Sequence, residues 1–255
     1  VSISSNVISD SSEGIGAYWL TNLTGVVLDK NQFNNLVYGG LWIDDSVVGT
    51  VTGVDASPNW WGSLVGPDLD ATDLDVDVYI RSYVVDPAVY APWCGDAACT
   101  FLVYPMVGTD LQASIDATPL GGTLYVPDLG TDPDYTGTYT VGGKTIILGD
   151  GVVIQANSPC FTVTGSYTTV TTESIGGTKC VLSDTYGIEV NAGLKNIIIE
   201  GIYFDTDFVS GSEVPGVIHF AGDIEDVLVN DNYFRANSSL VYDGIVFTVQ
   251  PTGYV

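Results

Sequence analysis

Positive charge is what this chain has least of. Its 255 residues carry 6 Lys and Arg against 31 Asp and Glu, with one His, for a formal net charge of −25. Nucleic acid is excluded as a partner, because phosphate contacts need clustered Lys and Arg. Docking to an anionic lipid surface is excluded on the same ground. Long apolar runs are also missing. No stretch approaches the roughly 18 to 20 residues of a spanning helix, so membrane insertion is not expected. No basic segment followed by an apolar one stands at the start. The sequence opens on Val1 inside a strand-like segment, and the expectation is a processed chain or an excerpt of a longer one.

Helix formers are scarce as well, whereas Val, Ile, Thr, Tyr and 30 Gly are plentiful. That is a palette for strands and turns. With 45% hydrophobic residues and 15 Tyr, 8 Phe and 5 Trp, the chain has ample material for a core and is not disordered by composition. Apolar and polar residues alternate with period two at Val1–Ser4, Phe161–Thr164 and Ile245–Val249. The best helix candidate is short, Thr109–Ala117, where Thr109 or Asp110 can cap and Leu111 and Ile115 share a face. The fold class is all-β.

An internal repeat selects the architecture. Val1–Ile8, Val26–Phe33, Ile197–Phe204 and Val227–Phe234 share one template, apolar at alternate positions and then a polar turn with Asn or Tyr before an apolar residue. The first two start 25 residues apart and the last two 30. Repeats of this length with such short strands fit a β-solenoid whose coils stack, a β-sandwich being the competing arrangement. Asn at the corner can hydrogen-bond the coils above and below. Placing Val1 after Val255 continues the repeat in register, so a tandem array or end-to-end polymer is expected.

Two segments resemble a known family. Asn59-Trp60-Trp61-Gly62, then Gly66-Pro67, an acidic stretch and Val89-Tyr90-Ala91-Pro92-Trp93 resemble the closing segment of right-handed parallel β-helix repeat domains of the pectate-lyase-like superfamily. Asp110–Pro127, with Gly137–Tyr139 and Thr145–Asp150, is similar to the opening of those domains, where a short capping helix precedes the first coil. The resemblance implies an inverted order. Residues 1–93 would be the last coils and closing segment of one β-helix, 94–105 a linker with a Cys pair, and 106–255 the capping helix and first coils of a second. It also implies a secreted or surface setting. Solenoid ends expose unpaired edges and an open core, and Trp60, Trp61 and Trp93 supply large apolar covers there. A sugar-binding platform is the alternative role for these aromatics.

The chemistry-bearing residues are few. Cys94/Cys99 and Cys160/Cys180 form an even set that favours disulfides over metal. Cys94 and Cys99 can close a tight loop or bridge subunits, and Cys160 and Cys180, 20 residues apart, can stack on adjacent rungs. Asp70, Asp73, Asp75 and Asp77 lie in an acidic run that is either a solvated face or a Ca²⁺ site, calcium being the one cofactor considered. Asn22 and Asn237 head N-glycosylation triplets. His219 is expected outward and exposed, and one His cannot build a Cys/His metal site. Arg235 follows Asp231 and Asn232 and is expected in an ordinary ion pair, while Asp205 and Asp207 are expected at a turn. No lyase or hydrolase constellation stands out, so no catalytic residue is assigned. The function expected is that of an extracellular or cell-surface structural protein, a subunit or repeat of a filament, sheath, surface layer or adhesin stalk. Its partner would be further copies of itself, with polysaccharide or cell envelope as other surfaces. A carbohydrate-active or carbohydrate-binding β-helix is the alternative.

Overall fold

The computed structural model describes residues 1–18, 22–44, 47, 51–67, 78–80, 90–106, 108–156, 159–182, 186–206, 217–236 and 244–248. The chain divides into two compact units, Val1–Pro105 and Met106–Val255. Both are built of stacked parallel strands, the arrangement of a β-solenoid.

In the second unit each coil contributes a strand to each of three faces. Face A stacks Thr123–Val126, Thr145–Leu148, Thr168–Thr172, Lys195–Glu200 and Glu225–Asn230. Face B stacks Tyr135–Thr136, Val153–Ala156, Lys179–Leu182, Tyr203–Thr206 and Tyr233–Ala236. Face C stacks Tyr139–Gly142, Phe161–Gly165, Ile188–Val190, Ile218–Phe220 and Ile245–Phe247. Alternation is what fills the interior. Each coil aims every second side chain inward, and register stacks it on its counterpart one coil away. Leu124, Ile146, Val170 and Ile199 make one such column on face A, and all four are fully buried. Val141, Val163, Val190 and Phe220 make another on face C. Burying each of these side chains is worth about 1.5–3 kcal/mol.

The first unit repeats the plan with fewer coils. Its face A is Ser2–Ser4, Leu23–Asp29 and Val51–Asp55, and its face C is Ile15–Ala17, Leu41–Ile43 and Val78–Ile80. Face B pairs Val7–Ser9 with Gln32–Asn34, and Gln32 bridges in turn to Trp60. The residues just before face B adopt left-handed φ at Ser5 (57°), Lys30 (53°), Gly201 (76°) and Asp231 (51°). The chain turns sharply there, and the polar corner of the sequence template is the consequence. Past the coils, Trp93–Cys94 and Leu102–Tyr104 form an antiparallel pair.

The helix is Leu111–Ala117, N-capped by Asp110, whose carboxylate accepts from the Ala113 N–H at 3.0 Å. Leu111 and Ile115 are buried, and they join the core cluster of the second unit. Gln112 pairs its side-chain amide with the backbone of Thr140, accepting from the N–H at 2.8 Å and donating to the carbonyl at 3.2 Å. The helix thereby covers the otherwise unpaired edge of the first face C strand.

Candidate functional site

The corner between faces A and B holds a column of asparagines. In the first unit Asn31 and Asn59 are fully buried. Asn31 Oδ1 accepts from the backbone N–H of Asn6, 25 residues earlier, at 3.0 Å and from its side-chain amide at 3.1 Å. Asn59 Oδ1 does the same for Asn31, 28 residues earlier, at 2.8 and 3.0 Å. Each Asn also donates back, Asn31 Nδ2 to the Ile3 carbonyl and Asn59 Nδ2 to the Leu28 carbonyl, both at 2.9 Å. In the second unit Asn232 repeats the pattern. Its Oδ1 accepts from the Ile202 N–H at 3.0 Å, and its Nδ2 donates to the Ile199 carbonyl at 2.8 Å. Every member therefore reaches toward the preceding coil and satisfies backbone groups that the turn leaves unpaired. The column is a ladder with a direction.

Apolar side chains are exposed on the first coil of the first unit and, among the described residues, on the last coil of the second. The first coil of the first unit surrounds an apolar mouth of about 440 Å³, lined by Val1, Ile3, Ile15, Ala17, Leu41 and Ile43 among others. Val1 is 78% exposed and Val7 64%. At the last described coil of the second unit lie three aromatic stacks. Tyr233 lies on Tyr203 at 4.9 Å, Phe234 on Phe204 at 5.5 Å and Phe247 on Phe220 at 4.7 Å, all within 12° of coplanar. Tyr233 and Phe247 remain 57% and 56% exposed.

The aromatics of the closing segment cover the other end of the first unit's coils. Trp61 is buried, stacked on Phe33 at 4.9 Å and pressed against Gly40, where a Cβ would sit 2.7 Å from the indole. Trp93 is buried over Gly66, whose φ of +93° and contact with the indole leave no room for a side chain, and its Nε1 donates to the Leu64 carbonyl at 2.9 Å. Trp60 is half-buried and donates to Asn34 Oδ1 at 3.1 Å.

All four cysteines are paired within the chain, as Cys94–Cys99 and Cys160–Cys180. The second bridge joins adjacent rungs as expected, but between different faces. Cys180 sits in the face B column between Ile154 and Phe204, whereas Cys160 precedes the face C strand Phe161–Gly165. The bridge thus crosses a corner from one coil to the next. Disulfides of this kind persist in an oxidising compartment, and no described helix is long and apolar enough to cross a membrane.

Two further expectations need correction. His219 faces outward from its strand but is buried at 7% exposure, not exposed. Register places it over Glu189, 3.7 Å from Nδ1, while Thr248 Oγ1 lies 2.8 Å from Nε2 and the Tyr186 ring stacks on the imidazole at 4.1 Å. Thr248 Oγ1 also donates to the Phe220 carbonyl at 3.3 Å, which ties the hydroxyl to the ladder. Asp205 lies in the strand Tyr203–Thr206, not at a turn, and Arg235 makes the expected ion pair, with Asp205 one coil away at 3.9 Å. Asn22 is exposed just before Leu23–Asp29. Asp70, Asp73, Asp75, Asp77, Asp207 and Asn237 lie outside the described residues.

Sequence reasoning missed Asp134 and Gln112. Asp134 Oδ2 accepts from the Val153 N–H at 2.8 Å, and Oδ1 accepts from the Leu129 and Thr131 N–H groups, each at 3.1 Å. Burial pushes this carboxyl up, but the bonds from Val153, Thr131 and Leu129 outweigh it and hold it below the usual carboxylate range. The signal available was Asp-Pro-Asp before a strand, a turn pattern whose long-range partner is not written locally.

Comparison with known proteins found no matching family model, no matching curated protein and no matching solved structure.

Proposed function

We propose that this chain is an extracellular structural protein, a subunit or repeat of a filament, sheath, surface layer or adhesin stalk, that works by end-to-end stacking of β-helical coils. Within this reading it belongs with the parallel β-helix repeat surface proteins of the pectate-lyase-like superfamily. The observation that supports it is the stacking of parallel coils in both units, tied at the corner by a one-directional asparagine ladder. An unpaired parallel edge is a template for another strand. Two disulfides and exposed Asn22 agree with a cell-surface setting. Electron microscopy of the native material tests the proposal. Regular fibres are expected, and dispersed monomers contradict it.

A second reading, polysaccharide binding, draws on a separate feature. An open groove of about 620 Å³ is floored by Gly142, Gly143 and Gly165 and walled by Leu120 and Tyr167. Tyr167 is 66% exposed and held at a left-handed φ of 59°, and a side chain on Gly142 would meet Gly165 backbone at 2.9 Å. Strain of that kind gathers at ligand sites. A glycan-binding screen of the wild-type chain and Tyr167→Ala separates the readings, since only the second predicts binding that the variant loses.

A further inference from the structure

We infer that the groove at the corner between faces C and A binds a neutral glycan, with one sugar ring held between Leu120 and Tyr167. The inference rests on the polysaccharide-binding reading above and names its ligand. Tyr167 is the key residue, because it breaks a rule that the other copies keep. Extending the face A register two residues back sets Gly121, Gly143, Tyr167, Asn196 and Asp226 in one column. All five adopt left-handed φ, at 76°, 65°, 59°, 57° and 53°. The first unit has Gly25 and Gly53 at the same place, both at 63°. Gly has no Cβ to clash there, and the short side chains of Asn and Asp tolerate the conformation. A bulky aromatic side chain does not. Internal packing does not offset the cost. Tyr167 is 66% exposed, and its hydroxyl donates to no described residue. Strain without an internal return points to a ligand contact.

The surroundings of the ring select the ligand. Leu120 belongs to the coil before Gly143 and Tyr167 to the coil after it, so the two walls stand two rungs apart, about 9–10 Å. That spacing admits one ring with a wall against each of its faces. Gly143 keeps the slot clear, since even a Cβ there would lie 3.2 Å from Leu120 Cδ2. A sugar ring suits such a slot. Its C–H faces carry partial positive charge and meet the negative face of the tyrosine ring, while its hydroxyls point out around the rim. Ser166 Oγ accepts from the Lys195 N–H at 3.1 Å, and its proton goes to no described residue. With the Tyr167 phenol it offers two hydroxyl donors to sugar oxygens. No lining residue is charged. Lys144, beside Gly143, commits its ammonium to the Ile115 carbonyl, and Lys195 stands in register with Glu225. In a chain of net charge −25, a uronate or sulfated polymer meets repulsion that no cation in the groove offsets. The ligand is therefore neutral.

Calorimetric titration of the full chain tests this, with short oligomers of glucose, galactose, mannose and N-acetylglucosamine as neutral probes and galacturonate oligomers of matching length as acidic ones. Binding of at least one neutral oligomer is expected, and none of galacturonate. Tyr167→Asn is expected to weaken that binding at least about tenfold. The same variant is expected to raise the melting temperature by about 2–4 °C, because it restores a residue suited to left-handed φ. Ile175→Ala, at a side chain 73% exposed outside the groove, is expected to bind as wild type does. A lower melting temperature for Tyr167→Asn assigns the tyrosine to the fold and overturns the inference, as does undiminished binding. Binding confined to galacturonate and lost in Tyr167→Asn overturns the neutral ligand and leaves the groove reading standing. No binding of any oligomer overturns both.

Discussion

A single amide decides whether a corner of this solenoid is satisfied. Asn31 is fully buried and serves coils on both sides of it. Asn31→Ala leaves the Asn6 N–H and the Ile3 carbonyl without their partner, and unsatisfied buried groups cost about 1–3 kcal/mol each. A loss of about 2–4 kcal/mol is expected in denaturant unfolding, with Asn35→Ala, an exposed corner residue, within about 0.5 kcal/mol of wild type. Equal effects from the two variants contradict a special role for the column. Asp134 carries a pH signature. Its folded carboxyl lies below the usual range, so its contribution is present above the unfolded value of about 3.9 and is lost as pH falls through the folded one. Between pH 5 and 2 the melting temperature of wild type is expected to drop more steeply than that of Asp134→Asn. Parallel curves contradict the assignment. What the sequence shows at this scale is the template itself. Asn6, Asn31 and Asn232 stand out because strand alternation stops at the same place in each copy. His219 does not stand out, because Glu189 and Thr248 lie about one coil away on either side and local pattern carries no sign of them.

At the scale of elements, the short helix is an edge cover as much as a core plug. Its presence follows from Asp110 as cap and from Leu111 and Ile115 on one face, all readable locally. Its second job is not readable. Gln112 looks like a solvent-side residue, yet it imitates a strand and pairs with both backbone groups of Thr140. Gln112→Ala is expected to lower stability by about 1 kcal/mol and to speed hydrogen exchange at the Thr140 amide, with Leu120→Ala as an exposed control. Unchanged exchange at Thr140 contradicts the edge-covering role. The Cys160–Cys180 bridge teaches the same lesson about distance. Sequence separation of one coil brings two residues to neighbouring coils, but which face each occupies depends on loop lengths that alternation alone does not fix.

For the whole molecule the shortage of positive charge acquires a physical role. In the proposed fibres, acidic side chains spread over stacked coils repel neighbouring fibres laterally. Lateral bundling is therefore expected to rise with added salt or millimolar divalent cations, read as turbidity and fibre width, since screening shortens the repulsion to about 10 Å or less. Bundling indifferent to ions contradicts that account. The central claim is that one copy continues the solenoid of the next. Helical reconstruction of the native fibres by cryo-electron microscopy tests it most directly. The account predicts an unbroken succession of rungs about 4.8 Å apart from one copy to the next. A gap between successive copies, or fibres joined side to side through other faces, would contradict it.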